Sequence, residues 1–503
     1  MSELPLPLFP SDDSSGEPGR RREPWALPHP VPTTLLALWP GPKAPNQETA
    51  AEALFHHAPE GVLLGELPSA PDGSLWTLVA DLPAPIDSRV VIFAERADPQ
   101  GQVDLDESCK ACRWVVGVEL LLPRTRLLRS LVAAMRIADA ITPGTPAILD
   151  VPSSTWHGRD SLAHWFLSAD RDPPEWLLWT AHAATLERDA APGTPHWIRT
   201  AGLWRCGLPE LELLEVPTEL LRAGISLIHG VAELLLDEEA PSPGTAWPIG
   251  ADLEVALVPW QEVAPLLPRT SPGSPATRQM QGKGLPVDTL EHPFGGVRAV
   301  ICDPVAIGTL RKVWAPPRRV LDAIVAGKAL LHQSQSAARR TQRLAQRMLP
   351  HFLDALRIAA EVNRSSDNPP LFKALAAAAF DPLTGRCIPP PGARVEAGAA
   401  PGSERGREPS EDSCEHLWIA VTGLETGLET GLGEHALRGT LLNDPSSSAS
   451  SLRAGAVVIV PCHCISDWQI VREGMILTPD EAQWIAAAVR DWQRGAQPGA
   501  NLD

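Results

Sequence analysis

The stretch "DVPSSTWHGRDSLAHWF", Asp150 to Phe166, brings Asp150, Ser153, Ser154, His157, Arg159 and Asp160 close together in sequence. A histidine between two carboxylates can move protons, and a neighbouring hydroxyl can attack a carbonyl; together these are the parts of a hydrolase. They follow an apolar run with strand character, and catalytic groups often stand on loops held by such scaffolds. Asp150, His157 and Asp160 are therefore the catalytic candidates. The same residue types also begin helices, because their oxygens accept the free N–H groups of a first turn, and Asp160 is well placed for that. Capping without chemistry is the plainer account.

Two cysteine clusters offer metal chemistry. In "ESCKACRW", Cys109 and Cys112 form one C-x-x-C, which could supply two zinc thiolates or a redox pair. In "PCHCISDWQI", Cys462, His463 and Cys464 look like half of a site. A strand over Ala456–Cys464 would turn the two cysteines to one face and His463 to the other, so the three could not hold one ion. Zinc would then require Cys109, Cys112, Cys462 and Cys464 together. Small buried hydrophobes account for the same cysteines, and no cofactor is the leading expectation.

Several chemistries have no footing. A phosphate-cradling loop ends in Gly-Lys-Ser/Thr, whereas the two Gly-Lys pairs here are followed by Gly284 and Ala329. Neither H-E-x-x-H nor G-x-S-x-G occurs. The chain has no tyrosine, which removes phenolic acid–base catalysis. Its formal charge of −18 repels phosphate, so nucleic acid and anionic membranes are not expected partners. Arg339, Arg340, Arg343 and Arg347 make one basic stripe at helical spacing, read as a solvated helix face because no aromatic residues interleave it.

These groups must be positioned by a fold, and 503 residues suit two or three domains. Residues 1–32 are rich in Pro, Ser and charge and read as a disordered tail. Strand-like runs follow at Leu35–Trp39, Val90–Ala94, Trp114–Leu121, Ala147–Val151, Trp176–Trp179 and Trp197–Leu203, with helices at Leu127–Ile141 and Ser161–Leu167. A hairpin-like segment, Leu203–Val216, leads into a helix over Thr218–Asp237, and Asp252–Pro259 is extended. Mixed strands and helices without strict alternation indicate an α+β domain over 33–267. Composition marks 268–284 as a linker. Residues 285–387 read as mainly helical, with a strand at Gly296–Cys302 and a long helix from Val320 to Val362 that Pro350 should kink or split. A second disordered linker covers 388–413. A small β-rich domain, barrel-like or an open sheet, occupies 414–495, with a tail at 496–503. Within it, the tandem "TGLETGLETGLG" at Thr422–Gly433 extends a hairpin turn. Its final helix is marked by Thr478, Pro479 and Glu481, a capping box.

The C-terminal residues resemble the bacterial domain of unknown function 2314. The likeness lies in "EHLWIAV" (Glu415–Val421), "RGTLLNDP" (Arg438–Pro445), "RAGAVVIV" (Arg453–Val460) and "ISDWQIV" (Ile465–Val471). Upstream, residues 33–267 more weakly resemble domain of unknown function 4026, the likeness lying in "PEWLLWTAHA" (Pro174–Ala183) and "HWIRTAGLWRCGLPELEL" (His196–Leu213). In that pattern a histidine stands where this chain has Ala201, so any chemistry resting on it would be lost here. The resemblances imply neighbouring domains rather than a reaction. Physically, Trp418 and Trp468 each offer a large apolar body and one N–H. Asp467 can fix a turn, and Asn443 begins turn chemistry. These four residues are the binding candidates.

Eight cysteines are sparse for a disulfide scaffold, and Met1–Gly19 lacks the pattern of a signal peptide. No apolar run reaches 18 residues; Leu220–Leu236 contains Arg222, His229 and Glu233. The expectation is a soluble, cytoplasmic, multidomain α+β protein that binds another protein without catalysis. The alternatives are a hydrolase using the Asp150–Asp160 loop and a zinc-stabilised structural protein.

Overall fold

Alternation of buried and half-buried residues over Thr33–Trp39 makes this segment (β1) a strand. It lies inside an antiparallel sheet with β2 (Leu63–Gly65), β3 (Trp76–Leu82), β4 (Ser88–Arg96), β5 (Trp114–Leu120), β6 (Ala147–Asp150) and β7 (Thr155–Gly158), in the order β2-β3-β4-β5-β1-β6-β7. The computed structural model describes residues 25, 27, 30–57, 63–65, 73–97, 105–168, 172–186, 191–250, 253–281, 297–304, 314–326, 334–364, 370–381, 387–388, 415–425, 435–445, 452–472 and 475–493. The chain forms two compact units, Met1–Ser334 and Gln335–Asp503. Three helices accompany the first sheet: α1 (Gln47–His57), α2 (Glu107–Lys110) and α3 (Leu127–Ile141). Leu131, Ala134, Met135, Ala138 and Ile141 recur at helical spacing along α3 and bury one face with Leu35, Val90, Ile92 and Val118. A short helical turn, α4 (Arg159–Ser161), follows β7.

The same unit holds a second sheet of β8 (Thr180–Ala184), β9 (Pro195–Ala201), β10 (Glu210–Pro217), β11 (Trp247–Gly250), β12 (Leu253–Pro259) and β13 (Arg298–Cys302), ordered β11-β12-β13-β10-β9-β8. Strands β10 and β13 run parallel; the other pairs are antiparallel. One face of this sheet, with Ile198, Leu211, Leu213, Leu257 and Ile301, belongs to the core that also takes in α5 (Leu221–Asp237). Gly224 allows that approach, since a Cβ there would stand 2.5 Å from Ile198 Cδ1. Trp197, Leu214, Val300 and Cys302 pack instead with α6 (Trp260–Val263). Among the described residues the unit also holds α7 (Pro275–Gln281) and α8 (Arg318–Val325).

The second unit is an open antiparallel sheet of β14 (Lys373–Phe380), β15 (Cys387–Ile388), β16 (Glu415–Glu425), β17 (Ala436–Leu441), β18 (Val457–Pro461), β19 (Ile465–Arg472) and β20 (Met475–Leu477). Its order is β18-β17-β16-β14-β19-β20, with β15 paired to the end of β14. Ala374, Ala376, Ala378, Ile419, Leu437, Trp468 and Ile470 pack against α9 (Gln335–Arg364) and α10 (Ala482–Gln493). The capping box expected at Thr478 and Glu481 is present ahead of α10.

Several local expectations are corrected. Trp176–Trp179 is not a strand: Glu175–Leu178 forms a 3-10 turn after Pro174, because a short apolar run fits either state until its neighbours decide. Pro350 does not split α9, which runs continuously; the proline is exposed while Leu349, Phe352 and Leu353 anchor both halves in the core. Asp160 is not a cap: Gly158 takes that position without a side-chain bond, and Asp160 sits in the first turn. Residues 268–284 are not simply an exposed loop, since they include α7 and buried Ser271, Ser274, Thr277 and Arg278. The segment 285–387 holds the expected strand, β13, and the helices α8 and α9, and adds one strand that was not expected, β14 of the second unit. Inside the expected tail 1–32, Trp25 is buried and its indole N–H donates to the Pro241 carbonyl at 2.7 Å. The tandem repeat begins inside β16, which pairs with β17 as a hairpin; residues 426–434 lie outside the described residues, as do 389–413 and 496–503. No described helix is long and apolar enough to cross a membrane.

Candidate functional site

Asp150 ends β6 and is fully buried. Arg205 holds it through two bonds, Nη1 to Oδ1 at 2.7 Å and Nη2 to Oδ2 at 2.6 Å. Ser153 Oγ also donates to Oδ2 at 2.6 Å. Arg205 lies on the 3-10 turn Leu203–Cys206 and donates from Nε to the Leu178 carbonyl at 2.9 Å. That turn is entered through Gly202 at φ 116°, where a Cβ would stand 2.6 Å from the Leu178 oxygen. Only glycine fits such a position. Both Asp150 oxygens are therefore committed to structure. A buried pair of this kind specifies one packing, and losing either partner strands a charge.

His157 is also buried, with its ring edge-on to Phe166 at 5.0 Å. Burial and the Arg205 charge push its pKa down, partly opposed by Asp150, so the imidazole stays neutral at pH 7. Its Nδ1 lies 3.2 Å from Ser161 Oγ, while Nε2 has no hydrogen-bond partner among the described residues. Asp160 is exposed on the neighbouring turn. The loop thus joins His157 to Ser161, and it joins Asp150 to Arg205 and Ser153. Ser161 lies in the same stretch, and the turn from β7 into α4 brings it back to His157.

A second charged cluster went unread in the sequence. Glu210 and Glu212 occupy alternate positions of β10 and are both buried. Glu212 accepts from Arg278 Nη1 at 2.8 Å and from Arg298 Nη1 at 3.1 Å, and also pairs with Arg278 Nη2. Burial would raise its pKa, yet the two guanidinium groups outweigh that and hold it low. The Arg278 guanidinium lies 4.4 Å from the Trp197 ring and 4.2 Å from the Trp260 ring, within cation–π range of both. Glu210 accepts from Thr200 Oγ1 at 2.5 Å and from the Gly202 N–H at 2.8 Å. Burial nonetheless raises its pKa. The signal available was "ELEL", acidic residues alternating with leucines in a strand buried on both faces.

In the second unit, register places Trp418 and Asp467 on either side of Ala377, on the sheet face opposite Trp468 and the helices. Trp418 is half-buried, and its backbone N–H donates to Asn443 Oδ1 at 3.0 Å, so Asn443 closes the turn. Asp467 accepts the Trp468 N–H at 2.7 Å. Burial raises its carboxyl to about 6, helped by nearby Asp480 and opposed by that hydrogen bond. Trp468 is core: its indole N–H donates to Ala345 O at 3.0 Å and its ring stacks on Phe352 at 5.1 Å. The Trp468 ring and its N–H are thus both engaged in the packing of this unit.

Cys462–Cys464 forms a 3-10 turn after β18 rather than continuing the strand. The strand-alternation argument therefore fails, although Cys462 and Cys464 are still buried and His463 is not. Cys109 and Cys112 are buried with Leu38, Val115 and Ala147; burial lifts Cys109 to about 11 and raises Cys112. Among the described residues no three His, Cys, Asp or Glu side chains gather as a metal set. In the arginine stripe, Arg339, Arg343 and Arg347 are exposed, while Arg340 is buried and bonds Asp480 at 2.6 Å.

The outer edge of the C-terminal sheet is different in kind. Strand β18 reads Val-Val-Ile-Val-Pro without a charge, and Val457 and Ile459 are 64% and 47% exposed. Among the described residues, no strand pairs with its outer side. The opposite edge, β20, has only three residues.

No curated protein and no solved structure matches the chain. A family model described as "Protein of unknown function (DUF4026) C-terminal" matches residues 182–285, which contain most of the second sheet, α5 and both carboxylates of the Glu210–Glu212 cluster.

Proposed function

We propose that the chain is a non-catalytic binding module that engages another protein, and that β18 is its contact strand. The supporting observation is the uncharged edge with Val457 and Ile459 exposed. An unpaired, apolar strand edge is a template for an added strand, which natural sheets usually blunt with charge. The resemblance of Glu415–Val471 to domain of unknown function 2314 belongs to this reading and supplies a small sheet domain without a reaction. The test is affinity capture from the source cells, using the full chain and its I459K variant as baits. A polypeptide kept by the first and lost by the second is expected. Equal retention by both would sink the reading.

A hydrolase on the Asp150–Asp160 loop is the second reading, favoured by His157 Nδ1 standing 3.2 Å from Ser161 Oγ. A neutral imidazole there can take the serine proton. Labelling by a fluorophosphonate probe, abolished in S161A, is what this reading requires. An unlabelled chain removes it.

A further inference from the structure

We infer that the occupant of the β18 edge is a second copy of this chain, paired antiparallel about a two-fold axis through Ile459. This rests on the reading of β18 as the contact strand and adds the partner's identity. The backbone pattern carries it. At one end of the β17–β18 ladder the Leu441 N–H donates to Ala456 O; at the other the Cys462 N–H donates to His435 O. Polar groups alternate sides along an antiparallel strand, so Ala456, Val458, Val460 and Cys462 turn theirs toward β17. Val457, Ile459 and Pro461 turn theirs outward. Proline has no N–H to leave unpaired there, which is why it is tolerated at such an edge.

The outward groups are self-complementary. With the axis through Ile459, each Ile459 N–H meets the Ile459 carbonyl of the second copy. Each Val457 N–H meets the Pro461 carbonyl of the second copy. Every outward N–H of the strand is then satisfied, and the proline's missing donor falls opposite Val457. The strand carries no charge, so no like charges face each other within the pairing, although each chain bears −18 overall. Val457 and Ile459 are covered against Pro461 and Ile459 of the second copy. The pairing is isologous and closes at two copies, which also prevents an apolar edge from seeding open-ended stacking.

The register gives a sharp test. Opposed residues of a hydrogen-bonded antiparallel pair stand about 5.5 Å apart at Cα, inside the roughly 4.4–6.8 Å span of a disulfide. The two Val457 residues would lie four positions apart along the strand, about 13 Å. Full-length I459C should therefore form a disulfide-linked dimer under mild oxidation, located by peptide mass spectrometry, while V457C and the unaltered chain should not. Sedimentation of the unaltered chain between about 1 and about 100 µM should show a concentration-dependent dimer that I459K abolishes while the chain stays folded, with only a small fall in Tm from the lysine facing Arg438 across the β17–β18 pair. A monomer throughout, or cross-linking through V457C instead of I459C, overturns the self-pairing. Failure here is distinct from failure of the broader reading: a monomer that still retains a foreign polypeptide through Ile459 keeps β18 as the contact strand with a different occupant.

Discussion

Strands β10 and β18 handle exposed need in opposite ways. In β10, Glu212 is surrounded: two arginines reach its oxygens, and two tryptophan rings enclose the Arg278 guanidinium. In β18, two backbone N–H groups face an edge that no described strand covers, and the side chains of Val457 and Ile459 are exposed. The first region has highly polar groups and no spare capacity. The second has no charged side chain and abundant spare capacity. Chemical richness in the sequence is thus a poor guide to where this molecule can still interact; unsatisfied groups are the better one.

Breaking the first region should have the largest effect. E212A leaves Arg278 and Arg298 buried without their carboxylate, a loss expected to cost about 3–5 kcal/mol. Hydrogen exchange of peptides covering Pro195–Pro217 would measure it, and protection within about 1 kcal/mol of the unaltered chain would show that the cluster does not lock the sheet. R278M should cost less than E212A, because Arg298 still neutralises Glu212 while the apolar side chain fills the space between Trp197 and Trp260.

An intermediate effect is expected at Asp467. Its folded pKa, about 6, lies above the usual carboxylate value. The folded state therefore binds this proton more tightly than the unfolded state does. Stability from this group is greatest below the unfolded pKa near 4 and is lost as pH rises through about 6. D467N keeps the oxygen that accepts the Trp468 N–H and removes the charge. It should stabilise the protein by about 1–3 kcal/mol at pH 7 and leave it unchanged near pH 4. Denaturant melts of both proteins across that interval check the sign; a D467N variant less stable at pH 7 would reverse it.

Periodicity made much of the scaffold legible. Helix α3 falls where Leu131, Ala134, Met135 and Ala138 recur, and the Thr478–Glu481 capping box is present as written. Mixed α+β architecture followed from the same patterns, and the C-terminal sheet resolves as open. What stayed hidden depended on long-range pairing. Asp150 and His157 look like one catalytic pair because they are close in sequence, but Arg205, 55 positions away, claims the carboxylate. Arg278 looked like linker composition until Glu212, 66 positions away, explained its burial. The Cys–His–Cys turn misled for a local reason: Pro461 ends the strand, and the three residues that follow wind into a 3-10 turn. Edge status is similarly unreadable from "VVIVP" alone, which could equally have been a central strand until the neighbours were known.

The smallest effect on stability is expected where the effect on assembly is complete. Ile459 lies on an edge strand with its side chain 47% exposed, so a lysine there loses little packing and can keep its ammonium in water. I459K should cost folding stability no more than about 1 kcal/mol, the loss coming mainly from Arg438, which faces position 459 across the β17–β18 pair. The same substitution places two ammonium groups opposite each other at the two-fold axis, where like charges directly across a strand pair repel. A near-normal thermal melt together with loss of the dimer would separate the two regions cleanly: β10 serves the fold, and β18 serves contact. If I459K instead unfolds the C-terminal sheet, Ile459 is part of that unit's own packing, and β18 joins β10 on the structural side of the comparison.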